Sequence, residues 1–245
     1  MRRRHTLAVI AVVAAVVASA TALLYAYGSG WWAPLLLRVR GPRSIADVVA
    51  RYGPDARARL APHFRRAGVS YPPREIALLV FKRENRLALW ARDGAEWRFI
   101  RDYTVLAASG HAGPKLREGD LQVPEGIYRI EHLNPNSSYH LSMKVNYPNT
   151  FDRSMARSDG RTRLGGDIFI HGKAVSIGCV AIGDRAIEEL FTLVAQTGHA
   201  RVKVILAPND LRVAGAIVHD EAPPWVGRLY RSLAAALGDF PIVRE

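Results

Sequence analysis

Residues 168–179 read Ile168-Phe-Ile-His171-Gly172-Lys-Ala-Val-Ser176-Ile-Gly178-Cys179, and this stretch decides how the fold is interpreted. Its apolar start predicts a short strand that ends at His171. Gly172 permits a sharp turn, and the loop that follows is long enough to fold back and bring the Cys179 thiol near the imidazole. A thiolate is the nucleophilic form of cysteine, and a nearby histidine stabilises it. The stretch therefore predicts a cysteine nucleophile with a histidine base and a thiol pKa below its free value of about 8.5.

The residues next to the thiol fit the same chemistry. Cys179 is the only cysteine in the sequence, so it forms no internal disulfide. It is either a reactive thiol or a buried cysteine that acts as a small hydrophobic residue. We expect Ser176 to bond the loop backbone and hold the turn. Gly178 lets a substrate approach the main chain, and the N–H groups of Gly178 and Cys179 are candidate donors to an oxyanion.

The motif resembles the catalytic signature of the YkuD-type L,D-transpeptidases, in which an apolar strand and His-Gly precede a variable loop and Ser-His-Gly-Cys. The resemblance covers roughly residues 75–207 and includes the Pro124-Glu-Gly126 turn. Ile177 stands where the family usually has His, and Val180-Ala181 stand where Arg is usual. The Ser-Ile-Gly-Cys variant, with Asn134-Pro-Asn-Ser-Ser-Tyr-His140 and Tyr147-Pro-Asn149 upstream, resembles the YafK-like branch.

The resemblance implies a mainly β domain with a few helices, built as a β-sandwich or barrel-like fold. It implies that Cys179 attacks an amide of a peptidoglycan stem peptide and forms a thioester, with His171 moving the proton. An amine acceptor then gives transpeptidation and water gives hydrolysis, with a wall-linked lipoprotein as a further candidate substrate. The expected catalytic residues are Cys179, His171, Gly178 and Ser176, and the expected substrate-binding residues are Gly172, Ser138, Tyr139, His140 and Arg153.

Two other functions are weighed against this one. An inactive, membrane-anchored peptidoglycan-binding module would keep the fold without turnover. A sortase-like enzyme is less favoured, because its histidine is expected far upstream of the cysteine. We expect no cofactor and no metal, since the eight His residues lack ligand spacing and no nucleotide fingerprint occurs.

The chain begins with a basic and then apolar segment. Three Arg precede an uncharged run from Thr6 to Tyr27, which is long enough to cross a bilayer core of about 30 Å. We expect a signal-anchor in the inner membrane, with the catalytic domain in the periplasm. Cleavage near Ala18-Ser-Ala20 would instead release a secreted protein. The formal net charge of +12 comes mostly from scattered Arg without interleaved aromatics, so nucleic acid is not an expected partner.

The expected domains are a transmembrane segment over 1–30, a helical stalk over 31–73, the catalytic domain over 74–210 and a C-terminal extension over 211–245 with an amphipathic helix from Trp225 to Leu237. In the stalk, Ser44 is a candidate helix cap and Pro62 an interruption. In the domain, Asp184 is the expected cap of a helix reaching Gln196, and residues 134–149 are expected to be irregular.

Overall fold

The computed structural model describes residues 10, 12–21, 41–216 and 222–243. The chain divides into two compact units, Met1–Pro42 and Arg43–Glu245. In the first unit residues 12–21 are helical, and in the described part of the chain no helix is long and apolar enough to cross a membrane. Most of the expected signal-anchor, including its basic start, lies outside the described residues.

The second unit is built on one mixed sheet. The chain order of its elements is α1 (Ile45–Ala67), β1 (Glu75–Phe81), β2 (Arg86–Arg92), β3 (Arg98–Thr104), β4 (Ala107–Ala108), β5 (Gly126–Asn134), β6 (Ser142–Val145), α2 (Thr150–Ser158), β7 (Phe169–His171), β8 (Val180–Ala181), α3 (Asp184–Thr197), β9 (Val202–Ala207) and α4 (Val226–Leu237). The strand order is β3-β2-β1-β9-β5-β6-β7-β8-β4. Strands β1 and β9 pair in parallel, as do β7 and β8, and the remaining pairs are antiparallel.

The barrel-like expectation is confirmed in part, since the strands form one mixed half-barrel sheet and not a sandwich of two sheets. Within the described residues the nine strands form a single open sheet with β3 and β4 at its edges. The four α-helices together contain more residues than the strands, so the unit is a mixed α and β structure and not a mainly β one. Helices account for the difference because they cover both faces of the sheet, which a sandwich would cover with a second sheet.

Strand β1 is buried on both faces. Its residues Ile76, Leu78 and Val80 belong to the main core, into which α1 and α3 also pack. The alternate residues Ala77, Leu79 and Phe81 belong to a second core under α4. This two-sided burial explains why β1 is a continuous apolar run without alternation. It also makes α4, which the sequence predicts as an amphipathic helix, part of the globular unit.

Helix α1 belongs to the globular core and is not a separate stalk. Its Ser44 cap is as expected, with a capping box to Asp47. The helix continues through Pro54 and Pro62 to Ala67. Each internal proline costs about 3 kcal/mol. The buried face, which includes Leu60 and Phe64, offsets this cost, since burying one large apolar side chain stabilises by about 1.5–3 kcal/mol.

Two further elements differ from the sequence expectations. The stretch 134–149, expected to be irregular, contains β6, which pairs with both β5 and β7. Its residues Ser142, Met143 and Val145 are buried, so ladder hydrogen bonds and packing override the turn-forming composition. Helix α3 is capped at Gly183, and Asp184 is its first helical residue. The Asp184 carboxylate instead accepts hydrogen bonds from Lys173.

Candidate active site

His171 is the last residue of β7 and is almost fully buried, with 2% of its surface exposed. Its Nδ1 lies 2.6 Å from the carbonyl oxygen of Gly172. A carbonyl oxygen only accepts, so Nδ1 carries the proton and Nε2 keeps its lone pair. Burial lowers the pKa of His171 below its ordinary value of 6.5. The imidazole is therefore neutral near pH 7 and able to accept a proton at Nε2.

Cys179 lies at the start of β8, half-buried. Its Sγ donates a hydrogen bond to the carbonyl oxygen of Asp167 at 3.6 Å. Burial raises the pKa of the Cys179 thiol above its ordinary value, so the resting group is a neutral thiol. This contradicts the lowered thiol pKa expected from the sequence, because desolvation of the thiolate outweighs the nearby positive charge of Lys115.

One cleft of about 360 Å³ brings His171 and Cys179 together. Strands β7 and β8 pair in parallel, with Ile170 opposite Val180 and His171 opposite Ala181, which places the end of β7 beside the strand that Cys179 precedes. The apolar side chains of Leu121 and Ile177 also line the cleft, and they are 53% and 73% exposed. The structure therefore places the two expected catalytic side chains in the same cavity, with an apolar rim.

The turn before the thiol is held by serine hydroxyls. Ser176 Oγ donates to the Cys179 carbonyl at 2.6 Å and accepts from the Cys179 N–H at 3.1 Å, which confirms the expected bonding of Ser176 to the loop backbone. The Gly178 N–H donates to Ser109 Oγ at 2.6 Å. Gly178 has a φ of +112°, a conformation that L side chains rarely adopt. Both expected oxyanion donors, the N–H groups of Gly178 and Cys179, thus have serine partners in this structure.

Gly172 is needed for close approach. A Cβ at this position would lie 2.7 Å from the Tyr139 carbonyl oxygen and 2.7 Å from Asp184 Oδ1. The next residue, Lys173, forms an ion pair with Asp184 at 2.9 Å, and its side chain is only 6% exposed. The ion pair therefore connects the loop after His171 to the first residue of α3.

The remaining expected substrate-binding residues divide into two groups. Tyr139 lines the cleft, and its ring lies over the imidazole of His171 with 4.6 Å between centroids. His140 bonds Glu188 on α3 at 2.9 Å and meets Tyr52 of α1 edge-on, while Ser138 lies in the same turn but not along the cleft. Arg153 is on α2, beside a neighbouring cleft. Of the expected substrate-binding residues, Tyr139 therefore lines the Cys179 cleft and Gly172 adjoins His171 in the chain.

Sequence reasoning missed Ser109 and Lys115. Ser109 follows β4 and contacts both Gly178 and Ser176. Lys115 lines the cleft, is 6% exposed and forms an ion pair with Asp120, and its Nζ also donates to the Arg117 carbonyl. Both belong to the loop before β5, which no local motif links to the thiol. The sequence signal for Lys115 is that lysine is rare in this chain, with five lysines among 34 Lys and Arg residues.

The sequence of the chain matches a known protein family and two known relatives. The family model of the L,D-transpeptidase catalytic domain, YkuD, matches residues 75–206. "Putative L,D-transpeptidase YafK" of Escherichia coli strain K12 is 33% identical over 138 residues, which cover 54% of this chain and 54% of that protein. The counterpart in Escherichia coli O157:H7 gives the same values. The chain thus spans about half the length of the curated relatives it matches.

Two solved structures match parts of the chain. The helical cell shape determining protein Pgp2 of Campylobacter jejuni is 24% identical, with a TM-score of 0.45, over 55% of this chain and 48% of that chain. Bd1075 of Bdellovibrio bacteriovorus is 19% identical, with a TM-score of 0.41, over 70% of this chain and 57% of that chain.

Proposed function

The chain belongs to the L,D-transpeptidase (YkuD) catalytic domain family, and from this premise we propose that it is a cysteine enzyme that cleaves or exchanges amide bonds of peptidoglycan stem peptides. One observation carries the proposal: the single cysteine of the chain shares a cleft with a buried histidine whose Nε2 is free of a proton. Nucleophilic catalysis by a thiol needs a base of this kind within hydrogen-bond reach of the sulfur, and in this structure Sγ donates to the Asp167 carbonyl oxygen instead, so we propose that the pair closes when substrate binds.

The reaction proceeds through a thioester. Nε2 of His171 takes the thiol proton as Sγ of Cys179 attacks the amide carbonyl, and the C–N bond breaks when the imidazolium returns that proton to the leaving amine. An acceptor amine then attacks the thioester and regenerates the thiol, which is transpeptidation. Water in place of the amine gives hydrolysis, including release of a wall-linked lipoprotein. The thioester serves both outcomes.

Before substrate binds, the His171 imidazole and the Cys179 thiol are both neutral. Burial lowers the pKa of His171 and raises the pKa of Cys179, so neither group favours its charged form before substrate binds. The proton therefore moves to the imidazole during attack, by general-base catalysis. A preformed thiolate–imidazolium pair is not the starting point.

The oxyanion is stabilised by the main chain at Cys179. The Cys179 N–H donates to Ser176 over 3.1 Å, the longer of the two serine bonds, and a charged oxygen is a stronger acceptor than a hydroxyl. We infer that this N–H turns to the oxyanion. The Gly178 N–H keeps its 2.6 Å bond to Ser109, which fixes the peptide plane. Gly178 then acts through its backbone conformation, and the apolar rim of Leu121 and Ile177 contacts aliphatic parts of the substrate.

We also propose the expected location, an inner-membrane anchor with the catalytic unit in the periplasm, where stem peptides are accessible. A second candidate function is an inactive peptidoglycan-binding module. The observation that favours it is the raised pKa of the Cys179 thiol together with its hydrogen bond to the Asp167 carbonyl, which both oppose nucleophilic attack.

The deciding experiment incubates the full-length protein with purified muropeptides and analyses the products by mass spectrometry. Cys179→Ala and His171→Ala should abolish product formation, while Ser232→Ala, on the exposed side of α4, serves as the matched control. A cross-linked dimer identifies transfer, and a shortened stem peptide identifies hydrolysis. Identical products from the wild type and Cys179→Ala would refute the catalytic proposal and support the inactive module.

A further inference from the structure

Two further clefts extend from the Cys179 cleft along the sheet. The first, of about 580 Å³, shares Gly166 and Asp167 with the Cys179 cleft. The second, of about 480 Å³, shares Arg129 and Ala200 with the first. The three depressions therefore follow one another, and a long ligand held at the thiol has a continuous path along the other two.

The walls of these two clefts carry an excess of positive charge. The cations that line them are Arg74, Arg129, Lys144, Arg153, Arg201 and Lys203, which we call the basic groove. The lining carboxylates are Glu75, Glu131 and Asp167, and Glu75 pairs with Arg92 at 2.7 Å. Lys144 pairs with Glu131 and Asp167. Among the described residues, the four guanidinium groups of the groove make no ion pair, so they can bind an external anion.

The pairing of Arg129 with Lys203 gives independent support. These residues lie directly opposite each other on β5 and β9, and opposite residues of an antiparallel pair share one face of the sheet. Like charges in this position are destabilising. Lys203 lies 3.8 Å from the exposed carboxylate of Asp239, and its ammonium is 5.9 and 6.0 Å from the ring centroids of Trp97 and Phe240, so its one ion pair is long. A carboxylate bound between the two cations would remove the repulsion, which makes this the centre of the basic groove.

We propose that the basic groove binds the free carboxylates of a second peptidoglycan stem peptide, beyond the one whose amide is held at Cys179. This inference rests on the proposed function for its ligand. Arg recognises carboxylates in bidentate geometry, and stem peptides carry free carboxylates along an extended chain. The two tyrosines in the groove walls, Tyr128 and Tyr147, are 2% and 4% exposed, so no aromatic platform for nucleic acid is present in the described part of the groove.

The test measures co-sedimentation of the full-length protein with purified sacculi at about 0.1 M salt, where screening acts over roughly 10 Å. All variants carry Cys179→Ala, so turnover does not change the ligand. Arg129→Gln combined with Lys203→Gln should bind about tenfold more weakly, since two charge-assisted contacts are lost. Arg51→Gln combined with Arg231→Gln removes the same charge outside the groove and should bind as the parent protein. Amidation of the sacculus carboxylates should lower parental binding to the level of the groove variant.

The inference would be overturned by unchanged binding of the groove variant to sacculi, by an equal loss of binding in the control variant, or by unchanged binding of the parent protein to amidated sacculi. A fourth such result is a groove variant that binds sacculi normally but loses its preference for phosphatidylglycerol over phosphatidylcholine vesicles, which would assign the groove to lipid. The failure of the catalytic proposal is distinguishable, because the binding comparison uses no turnover and stands if the wild type proves inactive on muropeptides.

Discussion

Ser109→Ala should lower turnover while leaving substrate binding nearly unchanged. Ser109 Oγ accepts the Gly178 N–H at 2.6 Å, and this bond ties the turn before Cys179 to the loop that follows β4. The other contacts to Ser176, at 3.4 Å from Ser109 N and Oγ, are long. The substitution therefore removes one short hydrogen bond and leaves the N–H of a buried glycine without its acceptor.

The expected size follows from that single bond. Leaving a buried N–H unpaired costs about 1–3 kcal/mol. A cost of about 1.4 kcal/mol in the transition state is a tenfold change in rate. We therefore expect kcat to fall about tenfold and KM to stay within about threefold, since Ser109 is not part of the cleft wall. Because the bond also exists in the resting enzyme, Tm should fall by about 3–5 °C for a unit of this size.

The assay compares wild type, Ser109→Ala and Ser109→Thr by steady-state hydrolysis or exchange of a muropeptide, with thermal unfolding in parallel. Ser109→Thr keeps the hydroxyl and should recover most of the lost kcat. A fall in Tm with unchanged kcat would mean that Ser109 only stabilises the fold. A rise in kcat would refute the reasoning more directly, since it would mean that the hydroxyl competes with the substrate oxyanion for the Gly178 N–H.

Four other predictions concern stability, turn geometry, pH dependence and the reactivity of the thiol. Glu125→Ala leaves the Lys82 ammonium buried without the carboxylate that lies 3.0 Å away, so the free energy of unfolding in urea should fall by about 3–5 kcal/mol; a change below about 1 kcal/mol would contradict the burial of the pair. Gly172→Ala places a methyl group 2.7 Å from a backbone carbonyl oxygen, so it should cost about 1–3 kcal/mol of stability and lower kcat/KM at least tenfold, an expectation that fails if activity is retained. Because burial lowers the pKa of His171, its basic form is present above that pKa and is lost as pH falls, so kcat/KM should rise with pH through a value below 6.5 and then level off. Alkylation of Cys179 at pH 7 should be slower than that of a free cysteine, because burial raises the thiol pKa, and a fast reaction at pH 7 would show that the thiolate is already formed.

That His171 and Cys179 share one cleft was predictable from sequence, because the determinants of this placement are local. His171 and Cys179 belong to one short segment, and the apolar strand and the glycines around them are visible in the chain. The state of the thiol was not predictable. Its pKa depends on how deeply the cleft buries the sulfur, and burial is set by residues such as Leu121 that lie far away in sequence. The sequence therefore predicted which two side chains share the cleft, but it predicted the wrong direction for the pKa of the Cys179 thiol.

Helices were predictable where apolar residues recur along one face of the element. Helices α3 and α4 are close to the predicted ranges, because their apolar residues match the period of a helix. Prediction failed where packing overrides local preference. Helix α1 passes through two prolines because its apolar face is buried, and α2 was not predicted, although Asn149 and Asp152 form its capping box. The turn-like composition around 134–149 concealed that signal.

Lysines line both the Cys179 cleft and the basic groove. The chain contains five, at 82, 115, 144, 173 and 203, among 34 basic residues. Lys82, Lys115 and Lys173 are each paired with a carboxylate and are at most 7% exposed. Lys144 and Lys203 line the basic groove beside arginines without ion pairs. The lysines therefore divide into three that are enclosed in ion pairs and two that flank the arginines of the basic groove, where a carboxylate can bind from outside.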